Sequence, residues 1–389
     1  MKIFNYNRKP EQTRTCARAN KRKMSDYRFV WFAVNLLFIN LAFSAAQDNH
    51  LVAFSDPSRI WGNGIERVIE EAYRQCFKTM IISGRVMNVR IPFAQNNLRD
   101  VLTETDWGFL EGGKGAPEIL WPVVEEILGT EDFEEYLKAL SSGREQVFIF
   151  DIPTQTWRTS SDLFDIARMK AGSYRGLPHR PYVLTSGSGA QESDIYNYLF
   201  CVGRVGMDCS GFVWFILSHI AKQGDIDLGK TLGRDMGVPR GGDPAWYAGT
   251  AFFNSKSSQI ISVKDEIRNL RPADIILFRD TEGRIGHSVI IQSIDFKKGI
   301  IRYLQCTEEA PIFERGVHES YIFFDPANPR VSLSDQSLRW SQKRFSPFPG
   351  EEESAFSDDG IRYRTASRQG GGRVVRIRAL EPVIERLSR

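Results

Sequence analysis

Cysteine is scarce in this chain of 389 residues: five occur, Cys16, Cys76, Cys201, Cys209 and Cys306. No two form a Cys-x-x-Cys pair, which removes the usual basis of a structural zinc site. Five scattered thiols are also too few for a disulfide framework. Charge of one sign is missing as well, with 51 Lys and Arg against 48 Asp and Glu. Nine of the former and two of the latter fall in residues 1–46, so the remainder carries 42 against 46. The basic balance therefore belongs to the N-terminus, and there is no electrostatic case for nucleic-acid binding. Long hydrophobic runs are absent too: the apolar stretch at 29–43 falls short of the ~20 residues that cross a bilayer. No pattern indicates a cofactor or a metal.

What is present is a core-forming composition, 42% hydrophobic and 12% aromatic. Residues 1–46 read as an export signal. Lys21, Arg22 and Lys23 precede the apolar run, and Ser44-Ala45-Ala46 supplies small residues before Gln47. The mature chain is then extracytoplasmic, periplasmic or secreted. Membrane contact arises only if the segment stays uncleaved as an anchor. A start at Met24 would discard Lys21 to Lys23 and leave a poor basic region.

Three further divisions follow. Residues 47–145 form an accessory segment, with helices expected at 65–77, 119–128 and 133–140. Two short strands are expected within 79–91, around Ser83-Gly84. Residues 146–345 form the main domain, with a strand at 146–152, a helix at 161–171 and a loop at 174–194. Residues 195–199 lead on toward Cys209. The Gly-rich run 224–258 reads as a long connection that could wall a groove with Trp246 and Tyr247. Residues 346–389 form a charged C-terminal extension, acidic then Arg-rich, whose default reading is solvated charge.

The organising stretch is DCSGFV at 208–213. Phe212, Val213, Phe215, Ile216 and Ile220 recur at helical spacing, closed by Lys222 and then Gly224. Cys209 thus opens an apolar helix, where unpaired N–H groups favour a thiolate and can hold an oxyanion. A buried core thiol is the bland alternative. Beyond Pro272 the period becomes two, and strands at 274–278, 287–294 and 300–307 form an antiparallel meander. His287 opens the second of these. Reflection about residue 296 brings Gln305 beside it across the ladder, with Thr307 and Glu308 within a residue or two. His219 shares a helix with Cys209 but lies ~15 Å along it. His179 and His318 read as loop residues.

A cysteine, a histidine opening a strand and a polar residue on the next strand follow papain-like logic. The run DCSGFV (208–213) resembles the signature of the NlpC-type cysteine peptidases, the bacterial cell-wall endopeptidases. PADIILF (272–278) and GHSVII (286–291) resemble that family's following strands, in the same order. The resemblance covers roughly 195–320. It implies an α+β, papain-like domain with the nucleophile helix packed on an antiparallel sheet. It implies Cys209 as nucleophile, His287 as general base and then acid, and Gln305 as the residue that orients the imidazole. It further places Tyr198, with Tyr196 as second choice, Asp208 and Ser210 around the oxyanion and substrate. The upstream YLFCVG (198–203) lacks the family's usual tryptophan and second glycine, and Ser288-Val289 stand where Val-Gly is usual. The expected activity is amide cleavage in peptidoglycan stem peptides by acyl-thioester chemistry. An amidase or acyltransferase on another substrate is the enzymatic alternative, and a non-catalytic exported wall-binding scaffold is the other.

Overall fold

The computed structural model describes residues 64–93, 116–151, 156–170, 182–185, 189–199, 205–279, 285–307, 316–343, 354–356, 359–364 and 371–388. All of them lie in one unit, Ile60–Arg389. The segment expected as an export signal, His179 and Glu308 lie outside the described residues.

Helix α1 (Ile65–Arg74) buries Ile65, Val68, Ile69, Ala72 and Tyr73, the stripe its spacing dictates. It stops short of the expected end because Phe77 already begins a strand. That strand, β1 (Phe77–Ile82), pairs with β2 (Arg85–Arg90) around Ser83-Gly84. Both turn residues have positive φ, 51° and 74°, the geometry that matches the twist of a two-residue hairpin. Helix α2 (Pro117–Leu128) starts on Pro117. Helix α3 (Glu131–Leu140) is capped by the Thr130 hydroxyl, which accepts from the Phe133 N–H at 3.3 Å. Strands β3 (Gln146–Asp151) and β4 (Thr156–Ser160) precede helix α4 (Leu163–Lys170). Strand β5 (Tyr182–Thr185) completes a three-stranded antiparallel sheet in the order β4-β3-β5. It lies inside the expected 174–194 loop, because four residues are too few to show a period.

Helices α5 (Glu192–Tyr198), α6 (Cys209–Lys222), α7 (Leu228–Met236) and α8 (Thr250–Phe253) come next. The last two, with a 3₁₀ turn at Pro244–Tyr247, replace the expected open connection at 224–258. Asp227 caps α7 by accepting from the Lys230 N–H at 2.8 Å, and Gly237 ends it in the left-handed region. Leu228 and Leu232 are the only buried positions it offers, too thin a stripe to stand out among glycines.

Strands β6 (Ile260–Val263), β7 (Ile275–Arg279), β8 (Ile285–Asp295), β9 (Ile300–Thr307), β10 (Gly316–Phe323), β11 (Arg339–Lys343) and β12 (Ser354–Phe356) follow. Helix α9 (Asp359–Arg364), strand β13 (Arg373–Ile377) and helix α10 (Glu381–Leu387) complete the described chain. An eight-stranded sheet runs β12-β11-β10-β9-β8-β7-β13-β6, antiparallel throughout. The α+β class and the β7-β8-β9 meander agree with the sequence reading. The C-terminal extension does not behave as solvated charge over 373–377. There, Val374, Val375 and Ile377 are buried, and Arg376 grips the fully buried Asp274 carboxylate with bonds of 2.6 and 2.8 Å. A count of arginines hides this alternation.

The sheet has two unlike faces. On one, α6 and α1 pack together, with the Tyr73 and Phe212 rings 6.4 Å apart. Gln292 of β8 donates to the Glu66 carbonyl of α1 at 3.0 Å on that face. On the other, Phe278, Val289, Ile291, Ile301, Tyr303, Trp340 and Tyr363 form the main core. Tyr363 brings α9 onto it, its ring 5.9 Å from Trp340. A Cβ at Gly360 would stand 2.4 Å from Trp340 Cδ1, so this close approach of α9 requires glycine.

Candidate functional site

Helix α6 begins where sequence places it. Asp208 is its N-cap, extended at φ −84°, and its carboxylate accepts from the Gly211 N–H and, at 3.1 Å, from the Ser210 hydroxyl. Cys209 is the first helical residue. The turn before it is tied down: the Met207 N–H donates to the Pro92 carbonyl at 3.0 Å, and the Cys306 thiol donates to the Met207 carbonyl at 3.1 Å. The Asp208 carboxylate and the Ser210 hydroxyl are thus bonded to each other at the helix end. Asp208→Ala is expected to cost about 1 kcal/mol of stability, measured by urea unfolding.

The Cys209 thiol is buried. Burial, then the adjacent Asp208 carboxylate, push its pKa up to about 12, against weaker help from the Ser288 and Ser210 N–H groups. Cys76, Cys209 and Cys306 are all buried and carry free thiols.

His287 stands opposite Phe278 in the β7–β8 ladder, ring centroids 5.6 Å apart. Its Nε2 meets Gln305 Oε1 at 2.8 Å. The meeting is diagonal. Ile290 faces Leu304 and Ile291 faces Tyr303, so the same register carried on sets His287 opposite Thr307, with Gln305 two residues along on the same face. The offset from the reflection about residue 296 is set at the turn, where Asp295 faces Ile300, and the β8 bulge between Ile291 and Ser293 takes back one residue of it. Burial first, and then Arg362, push the His287 pKa down to about 4; Asp359 and Gln305 act the other way.

Successive strand residues point to opposite faces. Ser288 faces α6 and meets the Cys209 thiol, whereas the His287 ring lies on the face of Phe278 and α9. The structure thus brings His287 and Gln305 together and sets Cys209 against the residue next to His287. Among the described residues no hydrogen bond joins Sγ to the ring, and the described bond of the ring uses Nε2 rather than Nδ1.

Tyr198 is placed elsewhere. It packs among Phe133, Tyr136 and Phe148 at 5.0, 4.9 and 6.4 Å, and its hydroxyl is directed to Thr130. An aromatic cluster on α3 and β3, with no short-range sequence signal, claims it. The second choice, Tyr196, lies under the Arg90 guanidinium at 4.1 Å. His219 is half-buried near the end of α6. His318 is not in a loop: it is fully buried on β10, its Nε2 2.8 Å from Arg90 Nη1 and its Nδ1 2.9 Å from the Gly316 carbonyl. The polar run His318-Glu319-Ser320 masks that strand.

Sequence reading missed the residues behind Gln305. Its Nε2 donates to Ser320 Oγ at 2.8 Å and to Asp359 Oδ2 at 3.1 Å, and Asp359 also accepts from the Tyr303 hydroxyl at 2.6 Å. Asp359 sat in an acidic run that looked solvent-facing. Among the described residues there is no cluster of three or more His, Cys, Asp or Glu suited to a metal ion, and no helix long and apolar enough to cross a membrane. Comparison with family models, with curated proteins and with solved structures finds no match to this chain.

Proposed function

We propose that this protein is an exported cysteine hydrolase of the NlpC type, acting on amide bonds of peptidoglycan stem peptides. The observation that carries the reading is the conjunction at β8: an imidazole held through Nε2 by Gln305, directly followed by the residue that meets a thiol at a helix start. A nucleophile helix against an antiparallel sheet is the papain-like arrangement that the three sequence motifs resemble.

In the described conformation both reactants are neutral, so the proton moves during attack. His287 Nδ1 takes the Cys209 proton as Sγ bonds to the carbonyl carbon, and N–H groups at the start of α6 face the developing oxyanion. His287 then returns the proton to the leaving amine as the C–N bond breaks. Water, deprotonated by the same nitrogen, cleaves the thioester and restores the thiol. Attack requires Nδ1 and Sγ to close to about 3 Å, a contact the described conformation does not make, since Ser288 and not His287 is on the side of α6.

The second reading is a non-catalytic wall-binding protein. The missing thiol–imidazole bond and the raised Cys209 pKa favour it. Digestion of purified peptidoglycan by the mature protein and by Cys209→Ala, read by mass spectrometry, decides between them. Stem-peptide cleavage present in the first and lost in the second is expected. Binding to the wall without cleavage, with Cys209 inert to a thiol probe, would establish the scaffold. A reactive Cys209 without cleavage would point to an amidase or acyltransferase on other amides.

A further inference from the structure

We propose that Asp359, delivered by α9 from the C-terminal segment, is a positioning residue that fixes the tautomer of His287 through the Gln305 amide. The inference deepens the hydrolase reading, and its mechanistic meaning rests on that reading.

The chain of hydrogen bonds dictates its own polarity. A carboxylate only accepts, so the Gln305 side-chain atom 3.1 Å from Asp359 Oδ2 must be the NH₂ group. The Ser320 hydroxyl, 2.8 Å from the same atom, accepts its second proton. Gln305 therefore turns its carbonyl oxygen to His287, and the Nε2 it meets at 2.8 Å must carry hydrogen. A neutral imidazole with Nε2–H has its lone pair on Nδ1, the nitrogen the mechanism needs for the Cys209 proton. Without an acceptor-only group behind Gln305, the amide could flip and send the proton to Nδ1.

The groups around this chain support the role. Tyr303 holds Asp359 Oδ2 at 2.6 Å, and Arg362 Nη1 lies 3.9 Å from Oδ1, so the carboxylate is oriented from two sides. Phe278 of β7 supplies the apolar wall, and its ring lies 5.8 Å from the Arg362 guanidinium carbon. Asp359 itself is buried, 4% exposed, and 54 residues from Gln305 in sequence. An acid from the far end of the chain thus completes a site otherwise built on β8, β9 and β10.

The test is long-range ¹H–¹⁵N correlation NMR of ¹⁵N-histidine-labelled mature protein, which reads imidazole tautomers directly. Wild-type His287 is expected as the Nε2–H form. Asp359→Asn, whose amide can face Gln305 either way, is expected to give a mixture with the Nδ1–H form. Asp359→Glu is expected to restore the single form. Nδ1–H in the wild type would overturn the proposal even if Asp359→Asn fails to fold. An unchanged tautomer in a folded Asp359→Asn would overturn it as well. The measurement needs no substrate, so a protein that cleaves nothing still answers it. If peptidoglycan is cleaved, Asp359→Asn is expected to lower kcat about tenfold at unchanged KM. Cleavage with an unmoved tautomer would remove Asp359's role and leave the hydrolase standing.

Discussion

Arg302→Met is expected to lose about 3–5 kcal/mol of stability in urea unfolding. Arg302 is enclosed on β9, its side chain 4% exposed, and it bonds two carboxylates: Glu319 on β10 at 2.7 Å and Glu70 on α1 at 2.5 Å. Its guanidinium also lies 5.3 Å from the Tyr73 ring. Methionine fills most of the volume but leaves two buried acids without the charge between them. Glu70 keeps Arg74 at 3.1 Å. Adding Glu70→Gln and Glu319→Gln should recover most of it, because an uncharged trio needs no compensation. A loss below about 1 kcal/mol in the single variant would mean that water reaches the site and screens it. This cluster fastens α1 to the sheet, and α1 braces α6 through Tyr73 and Phe212, three residues past Cys209.

The elements that sequence discloses are those whose period is long and whose caps are local. Helix α6 shows its apolar stripe, and the meander shows three period-two runs with short turns. The His287–Gln305 contact was legible because both faces of a tight hairpin follow from counting, and an error of two residues preserves parity. The rest depends on contacts between distant segments. Asp359 belongs to the site only because Tyr363 and Gly360 seat α9 against Trp340. Tyr198 leaves the site because α3 and β3 supply a set of aromatic partners. Strand β13 enters the sheet between β7 and β6, a placement no local pattern encodes. The position of Cys209 against Ser288 rather than against the imidazole is likewise a fact of packing: it depends on how α6 crosses β8, which spacing leaves open.

Lowering the pH from 6.5 to 4 is expected to remove about 3 kcal/mol of stability through His287 alone. Its pKa is about 4 in the folded chain and about 6.5 when unfolded. Between these values the unfolded state binds a proton that the native state refuses, so stability rises with pH across the window, is complete above it and flattens below it. Asp194 works in the opposite sense: burial raises it to about 6, so the folded state holds a proton there that the unfolded state has shed. The bare curve of the wild type therefore underreports His287. The difference between wild type and His287→Gln isolates it, and a constant difference from pH 4 to 7 would show that the imidazole titrates normally in the fold. Under the proposed hydrolase mechanism a neutral His287 is the base, so the acid limb of kcat/KM should fall near pH 4 rather than near 6.5. Arg362 lowers this pKa and Asp359 raises it. Arg362→Gln should accordingly move the acid limb to higher pH and Asp359→Asn to lower pH. Two variants on one short helix, shifting one limb in opposite directions, would tie the C-terminal segment to the chemistry of the imidazole. A limb that neither variant moves would place the titrating base elsewhere.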